Sequence, residues 1–415
     1  MISNNSIELK STNIRWKYIL VFLFLILCGF PSGELLPAKT YLLSLIGIIY
    51  FIHNKHKIPK TIILYIFSYV IIGFIQAKYW GFYSKRTIIE LPLLIFSGYF
   101  IIQYTGKSFA AIYLKIIYFL ALVSIIFFVI MIITGFIPNL LDIQSYKSIF
   151  IYNIRLNEIE RIRNCGPFWE PGAYGGYLSF TGILFFNNLN ELWQKERKKI
   201  IVILLAIATT FSTQAYAIVF LLLLFSIFRS YNGIKLVFIT FLMLGIFIFA
   251  YTSLDFLGEK ITEQLELTQN LDNNSLLSAN RFTTALTEYL IFLEHPFVGN
   301  TNNQLIFYQD IPFILEQIED NNGYASGSGI TTFLAQYGIL IFSTWSILSF
   351  LNLKKYYGTK SALFCLIILF FAALGEQYTD QLLYVCLPFI ILNSKLTVKN
   401  KSILKQYFGK FLPIN

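Results

Sequence analysis

Residues 109–135 read FAAIYLKIIYFLALVSIIFFVIMIITG, and this stretch decides the class of fold. Its only charged side chain is Lys115, which lies near the start and has a stem long enough to bring its ammonium group to a membrane surface. A helix needs roughly 20 mostly apolar residues to cross the hydrocarbon core of a bilayer. The stretch therefore predicts a transmembrane helix.

The rest of the 415-residue chain has the same character, with 56% hydrophobic residues, 13% charged residues and a mean hydropathy of +0.64. Soluble domains are about 45–50% apolar and about 25% charged. We predict an all-α fold, a polytopic bundle of about 12 transmembrane helices, with roughly 11–13 as the range. The predicted spans lie at 16–31, 37–52, 61–77, 88–103, 109–135, 172–187, 200–213, 215–229, 235–253, 329–351, 361–375 and 380–394.

Two segments are too polar to cross lipid, and with the N-terminus inside both fall on the outer side. Their patterns indicate large outward-facing loops with helical content. The organisation is then spans 1–5 in 1–135, the first outer loop in 136–171, spans 6–9 in 172–253, the second outer loop in 254–328, spans 10–12 in 329–394 and an inner tail in 395–415.

The net charge of +10 divides along this topology. The predicted inner segments hold 21 basic and 3 acidic residues, and the outer segments hold 10 basic and 18 acidic residues. Cytoplasmic loops of membrane proteins concentrate Lys and Arg, so both termini are expected in the cytoplasm and no nucleic-acid partner is indicated. Lys78, Lys85 and Arg86 flank an outer loop, which means either an error in this topology or a basic outer site.

The other polar groups give no support to a disulfide or metal site, and little to an ion-coupled transport site. The four cysteines show no paired spacing, so neither a disulfide framework nor a metal site is indicated. Ionisable groups at mid-membrane mark ion-coupled transporters, and here only Glu90 and Lys115 are candidates, both near span ends. The polar residues are concentrated outside, which favours chemistry at the outer face.

The first outer loop combines basic residues with a bent backbone. Arg155, Arg161 and Arg163 precede the sequence Asn164-Cys165-Gly166-Pro167-Phe168-Trp169-Glu170-Pro171-Gly172-Ala173-Tyr174. Guanidinium groups suit phosphate, and the rings of Trp169 and Tyr174 offer flat faces to sugars. The alternative is a structured loop whose arginines pair with its own glutamates.

The second outer loop contains a predicted helix over 281–294. Arg281 would lie at its N-terminus, where anions are favoured. His295-Pro296 ends the helix, and a lone outward histidine such as His295 is more often structural than catalytic. The loop closes through Tyr324 and Ser328, which we include among the expected substrate contacts.

Three of these patterns together resemble bacterial O-antigen polymerases. The first is Arg163-x-x-Gly166-x-Phe168-x-Glu170-Pro171, followed by Gly172 and Tyr174. The second is Arg281 with Glu294-His295-Pro296-x-x-Gly299, which is similar to the second-loop pattern of these polymerases and of O-antigen ligases. The third is Ser326-Gly327-Ser328 before Leu334-x-x-x-Gly338. The turn Thr210–Tyr216 between two predicted spans also fits.

The resemblance implies a fold like that of the GT-C glycosyltransferases and a location in the bacterial inner membrane with the active site facing the periplasm. It implies transfer of a growing glycan from undecaprenyl diphosphate to an incoming lipid-linked repeat unit, without a cofactor or metal ion. The lipid-linked oligosaccharides, as donor and acceptor, and the bilayer would be the partners, together with a chain-length regulator and a flippase.

The resemblance also assigns roles to residues. Arg163 and Arg281 would stabilise the charge that develops on the leaving diphosphate, with Arg161 and Arg155 in support. Glu170 would be the base for the acceptor hydroxyl or else an anchor that holds Arg163, and His295 is the second candidate base.

Three alternatives remain open. Ligases, which transfer the same glycan to lipid A-core, usually carry a histidine near position 327, and this chain has Ser326 and Ser328 there. A capsule polymerase of a Gram-positive envelope would share the same layout. A flippase or secondary transporter would also have about 12 spans, but an internal repeat is expected of a transporter and none is visible.

Overall fold

The computed structural model describes residues 4–35, 38–135, 140–143, 146–155, 163–230, 245, 281–301, 307 and 328–392. The described side chains leave out those of residues 4–13, 34, 142–146, 155, 229–230 and 281–283. All statements below concern these parts of the chain.

The described chain is mostly helical, as its apolar stretches predict. The helices are α1 (Asn4–Leu27), α2 (Lys39–His53), α3 (Lys60–Trp80), α4 (Leu91–Thr105), α5 (Phe109–Thr134), α6 (Pro171–Leu184), α7 (Leu189–Thr209), α8 (Thr213–Ser230), α9 (Arg281–Glu294), α10 (Gly329–Tyr357), α11 (Thr359–Gly375) and α12 (Leu382–Val385). One turn of π-helix, Arg86–Glu90, leads into α4, and short 3-10 turns join several helices.

Three helical segments are long and apolar enough to cross a membrane: Lys60–Trp80, Arg86–Thr134 and Gly329–Tyr357. The second contains both α4 and α5, which are separated at Gly106, where a φ of +56° breaks the helix. Shorter apolar helices occupy Lys39–His53, Thr213–Phe228 and Thr359–Gly375. The chain therefore has the helices of a membrane protein, and the number of spans stays a prediction.

The expected span at 380–394 is not a continuous helix in its described part. It contains only the four-residue α12 and a 3-10 turn at Leu387–Phe389. Pro388 has no backbone N–H, and the segment is buried behind α10. Side chains of α10 supply donors to its carbonyls, since Trp345 Nε1 donates to Tyr384 O (2.7 Å) and Asn352 Nδ2 to Leu387 O (2.8 Å). The predicted span at 235–253 lies outside the described residues.

The described part of the first outer loop contains three short strands. Three antiparallel strands, β1 (Leu141–Ile143), β2 (Tyr146–Ser148) and β3 (Asn153–Arg155), form a sheet in the order β1-β2-β3. Tyr152 and Ile154 are buried against Phe128 and Met131 of α5. The sheet is thus fixed by packing on the end of α5. The helical content predicted for this loop is not tested by residues 156–162, which lie outside the described residues.

Helix α10 is broken in its first half. Gly338 has φ +72° and ψ 176°, so the helical hydrogen bonds cannot continue through it. The loop after α9 repairs the break, because Ile339 N donates to Pro296 O (2.8 Å) and Asn300 N donates to Ala335 O (2.7 Å). Unpaired backbone groups are costly in lipid, and here the protein itself satisfies them.

One end of the bundle joins the ends of many helices, and we call it the outer end because both polar segments are predicted on that side. Tyr378, after α11, donates a hydrogen bond to Gly172 O at the start of α6 (2.9 Å). Thr379 donates to Gly329 O at the start of α10 (2.9 Å). The outer end is therefore a packed surface built around the segment that follows α11.

Candidate functional site

The block from Arg163 to Pro171 forms part of the outer end, and the middle of the block lies in the hydrophobic core. Phe168 is fully buried and stacks on Tyr177, with ring centroids 4.1 Å apart. Gly166 has a φ of +52°, and a Cβ atom on it would lie 2.6 Å from Cζ of Tyr174. Gly166 is thus required because the ring of Tyr174 packs against it. This glycine serves the packing of the fold and not catalysis.

Asn164 ties this block to two helices, and sequence reasoning missed it. Its Nδ2 donates to Oγ of Ser124 on α5 (3.1 Å) and to Oγ1 of Thr209 on α7 (2.8 Å), while its Oδ1 accepts from Gly166 N (2.9 Å). Asn164 is fully buried. A single Asn in a loop carries no periodic signal, so only the fold reveals this role.

Arg163 lies at the turn between α7 and α8. Its Nε donates to Thr210 O and its Nη2 to Phe211 O, both at 3.1 Å. These carbonyls follow the C-terminus of α7, where a cation is favoured by the helix dipole. The structure thus brings together Arg163 and the Thr210–Tyr216 turn, two features that were separate in the sequence, and gives the guanidinium a structural function in addition to its expected chemistry.

The two aromatic candidates of the first loop differ in exposure. Tyr174 is fully buried and shares a hydrogen bond with Ser124 (2.8 Å), so the expectation that its ring offers a face to sugars is wrong for this structure. The reason is that Gly166 lies against the ring and Phe168 stacks on it, with ring centroids 6.0 Å apart. Trp169 is half-buried, with one edge over Gly29 and its ring 6.2 Å from that of Tyr378, so part of it stays accessible at the outer end.

Two carboxylates lie at the start of α6. Glu170 is the residue before the helix, has extended backbone angles and is half-buried. Glu376 lies so close that a Cβ on Gly172 would be 2.0 Å from its Oε1. The positive end of a helix dipole favours negative charge at this place. Glu376 was missed by sequence reasoning because it was assigned to a short connection between two spans.

The segment Gly375–Gln381 is the centre of the outer end. Tyr378 and Thr379 bind the starts of α6 and α10, and Asp380 forms an ion pair with Arg86. The pair is accessible, with 43% of the Arg86 side chain and 22% of the Asp380 side chain exposed. The signal available in the sequence was the polar run Glu376-Gln377 and Asp380-Gln381 between two apolar segments.

Lys78, Lys85 and Arg86 flank a predicted outer loop, and two of these three basic residues have acidic partners. Arg86 pairs with Asp380, and Lys85 pairs with Glu90 at 3.2 Å. The hydrogen bond with Glu90 raises the pKa of Lys85 above its ordinary value. Because Asp380 follows α11 next to Tyr378, Arg86 lies at the same end as Trp169. The choice between a basic outer site and an error in the topology stays a prediction.

The second outer loop is docked on α10. Glu288 of α9 is fully buried and accepts hydrogen bonds from Thr331 Oγ1 (2.7 Å) and Thr332 Oγ1 (2.9 Å) in the first turn of α10. Ser328 is the residue before α10, is buried, and its carbonyl accepts from Thr332 Oγ1 (2.6 Å). Arg281 is the first residue of α9, as expected, and its side chain lies outside the described residues.

His295 lies where α9 ends, against the end of α3. Its ring meets the ring of Trp80 edge to face, with centroids 4.7 Å apart, and its carbonyl accepts from Gly299 N (2.9 Å). The pattern His295-Pro296-x-x-Gly299 thus forms the loop that repairs the break in α10. This contact agrees with the structural interpretation of His295, and its role as a base stays a prediction.

The remaining candidates are not assessed by the structure. Arg161 and Tyr324 lie outside the described residues, and Arg155 is described only as the end of β3. What the outer end does bring together is Arg86, Asp380, Glu376, Glu170 and Trp169, through the Gly375–Gln381 segment. Such a set can stack on a ring and accept a proton, and its one guanidinium group is paired with Asp380. No family model and no curated protein matches the chain.

Proposed function

We propose that the chain is an O-antigen polymerase, or a polymerase of a related surface polysaccharide, in the inner membrane of a bacterium. It would transfer the growing glycan from undecaprenyl diphosphate to an incoming lipid-linked repeat unit at the outer face, with both termini in the cytoplasm. A fold like that of the GT-C glycosyltransferases and a bundle of about 12 spans are part of the proposal.

The observation that supports this function best is the meeting of the Arg163–Pro171 block and the Gly375–Gln381 segment at one end of an apolar bundle. The substrate that the proposal requires has a lipid tail, an anionic diphosphate and sugar rings. The bundle offers apolar helices for the tail, and the outer end offers guanidinium groups, carboxylates and the half-buried Trp169.

The chemistry would proceed as a displacement at the anomeric carbon. The acceptor hydroxyl forms the new glycosidic bond, its proton passes to a carboxylate, and the bond between the anomeric carbon and the phosphate oxygen breaks. The diphosphate leaves with the electron pair, and fixed guanidinium groups stabilise its charge. We assign the proton to Glu170 and the charge to Arg163 and Arg281, and the structure adds Arg86 as a further cation at the outer end.

The test is deletion of the gene in a strain whose lipopolysaccharide ladder is visible on a gel. We expect core with a single repeat unit, and the long ladder should return with the wild-type gene. Bare core with accumulated lipid-linked polymer would instead identify a ligase, and absence of repeat units from the outer face would identify a flippase.

Metal independence is a separate element of the proposal. Polymer formation by the purified protein in liposomes should be unchanged by a chelator. Loss of activity that Mg²⁺ restores would contradict it.

A further inference from the structure

Helix α9 of the second outer loop has an apolar outward face. Four large apolar side chains recur along it at the spacing of one helix face, with exposed fractions between 46% and 54%. They are Leu286, Tyr289, Leu290 and Leu293, and we call them the outward face of α9. Phe297, in the loop that follows the helix, is also exposed, at 66%. The outward face is thus a continuous apolar surface along the whole described length of α9.

The polar side chains of α9 are directed toward the protein. Thr284 and Glu288 are buried together with Ile291, and Glu288 accepts hydrogen bonds from Thr331 and Thr332 of α10. A helix at the surface of a soluble domain has the opposite arrangement, with its apolar stripe on the core and its polar residues in water. The arrangement in α9 therefore suits a helix whose surroundings are apolar.

The C-terminal end of α9 lies at the end of a helix that is long enough to cross a membrane. Helix α3 has 21 residues, and its length of about 30 Å matches the hydrocarbon core of a bilayer. Trp80, its last residue, lies against His295, and Gln76, one turn earlier, donates to Val298 O (2.7 Å). Tryptophan is enriched at the boundary between membrane and water. The loop after α9 is therefore at the outer boundary of the hydrocarbon core.

The apolar surface of the transmembrane helices continues into this loop. Leu340 of α10 is 50% exposed, and its backbone N–H donates to the carbonyl of the exposed Phe297 (3.3 Å). Phe74, near the same end of α3, is 53% exposed. Helix α9 has 14 residues and a length of about 21 Å, so it is too short to cross the bilayer from this boundary. It either lies along the membrane or stands out into water, and only the first arrangement covers its outward face.

We propose that α9 is an interfacial helix, which lies along the outer leaflet with its outward face on the acyl chains. Helices of this kind bury their apolar face about 5–10 Å into the boundary between head groups and acyl chains. The partner is the bilayer itself, and the inference does not depend on the proposed chemistry. One consequence does rest on the proposed function. A helix that lies flat keeps its first residue, Arg281, at the height at which the diphosphate of a lipid-linked substrate would lie.

The test is electron paramagnetic resonance of the full chain in liposomes. Leu286, Leu290 and Leu293 are replaced by cysteine one at a time and coupled to a nitroxide. The four natural cysteines are buried, and labelled wild-type protein gives their background. Oxygen concentrates among acyl chains, whereas a charged nickel chelate stays in water. We expect oxygen to relax all three labels more strongly than the chelate does.

Two further positions calibrate this ratio. Ile71→Cys, at an exposed position halfway along α3, is the reference for lipid, and Lys57→Cys, at an exposed position between α2 and α3, is the reference for water. Labels on α9 that are relaxed mainly by the chelate, as at Lys57, would place the outward face in water and overturn the proposal. Immobile labels that neither reagent reaches would also overturn it, because another part of this chain or a second copy would then cover the face.

A second variant tests whether the outward face holds α9 on the membrane. Leu290→Glu/Leu293→Glu places two charges on this face, and charged side chains are costly among acyl chains. The ratio measured from a label at Leu286→Cys should then shift toward that of the water reference. The matched control Leu290→Ile/Leu293→Ile keeps the face apolar and should leave the ratio unchanged. An unchanged ratio in the charged variant would show that the face does not contact lipid.

Discussion

Gly299 and Gly338 lie against each other where α10 is broken, and both have a positive φ, +69° and +72°. A Cβ on Gly338 would lie 2.3 Å from Phe297 O and 2.6 Å from Gly299 N, and a Cβ on Gly299 would lie 2.5 Å from Gln336 O. No side chain longer than hydrogen fits at either position. Gly299 of the second pattern and Gly338 of the third therefore form one joint between α9 and α10.

The first prediction concerns this joint. Gly338→Ala should lower the free energy of unfolding by about 3 kcal/mol or more, because a backbone with positive φ and ψ near 180° alone costs about 1–2 kcal/mol and the clash with backbone atoms adds to it. The measurement is thermal unfolding in detergent with a thiol-reactive dye, since all four cysteines are free and buried.

A matched control for this substitution exists in the same chain. Gly358 has nearly the same backbone conformation, φ +80° and ψ 168° against φ +72° and ψ 176° at Gly338, but nothing lies within 4 Å of its Cβ position. Gly358→Ala should cost only about 1–2 kcal/mol, the cost of the backbone conformation alone. Equal losses in Gly358→Ala and Gly338→Ala would show that backbone strain, and not the close contact, explains the glycine at 338.

The second prediction concerns Gln76 of α3, which fixes the joint from the other side. Its Nε2 donates to Val298 O (2.7 Å) and to Gln336 O (2.6 Å). Gln76→Leu removes both bonds while keeping the apolar volume, and we expect a loss of about 2–3 kcal/mol in the same unfolding assay. Gln103→Leu, at an exposed position of α4, is the control and should change stability by about 0.5 kcal/mol or less. An unchanged melting temperature in Gln76→Leu would mean that the break in α10 is held without it.

The length of each apolar stretch predicted most of the helices, because a helix forms its hydrogen bonds between residues that are close in the sequence. The prediction failed where residues far away in the sequence supply the hydrogen-bond partners. Gly338 was recognised in a pattern, but a single glycine in an apolar run is compatible with an unbroken helix. Its break depends on carbonyls of 296–297, which only the tertiary structure brings near. The expected span at 380–394 failed for the same reason, since Trp345 and Asn352 replace the hydrogen bonds that a helix would have made.

The candidate site shows the same limit. The Arg163 block was visible from its composition, but burial of Tyr174 depends on α5 and could not be read from the loop. Arg86 and Asp380 are 294 positions apart, so no local pattern connects them. The only signal in the sequence was the charge of each residue. Arg86 is a basic residue on a predicted outer side that is net acidic, and Asp380 is an acidic residue at the start of an apolar run.

The third prediction concerns this ion pair. Asp380→Asn leaves Arg86 without its anion, and we expect loss of the polysaccharide ladder together with a modest loss of stability, because the pair joins the start of α4 to the Gly375–Gln381 segment but is accessible to solvent. The charge-reversed double variant Arg86→Asp/Asp380→Arg should recover stability but not polymer. The exposed pair of Lys85 and Glu90 is the control, and Glu90→Gln should leave the ladder unchanged. A normal ladder in Asp380→Asn would remove this pair from the site.

The fourth prediction separates the two roles of Arg163. As a cap of α7, its replacement by Ala should lower stability by about 1–2 kcal/mol. As a stabiliser of the leaving diphosphate, it should also lower polymer formation about a hundredfold at equal amounts of folded protein. Both quantities are measured on the same liposome preparation. A folded Arg163→Ala protein with wild-type turnover would leave the residue only its structural function.

The fifth prediction identifies the base by comparing the two carboxylates at the start of α6. Glu170 is half-buried at the helix N-terminus, whereas Glu376 is 5% exposed and lies against Gly172. Glu170→Gln should fold, keep the substrate affinity and lose turnover, since an amide cannot accept the proton of the acceptor hydroxyl. Glu376→Gln should lower stability, because it removes a buried charge from the positive end of a helix dipole, but should retain turnover per folded molecule.

The measurement is initial rate against substrate concentration and pH for both variants, with the folded fraction determined by the thiol-dye assay. An active Glu170→Gln beside a folded but inactive Glu376→Gln would transfer the role of base to Glu376, the residue that the fold and not the sequence brought to this helix.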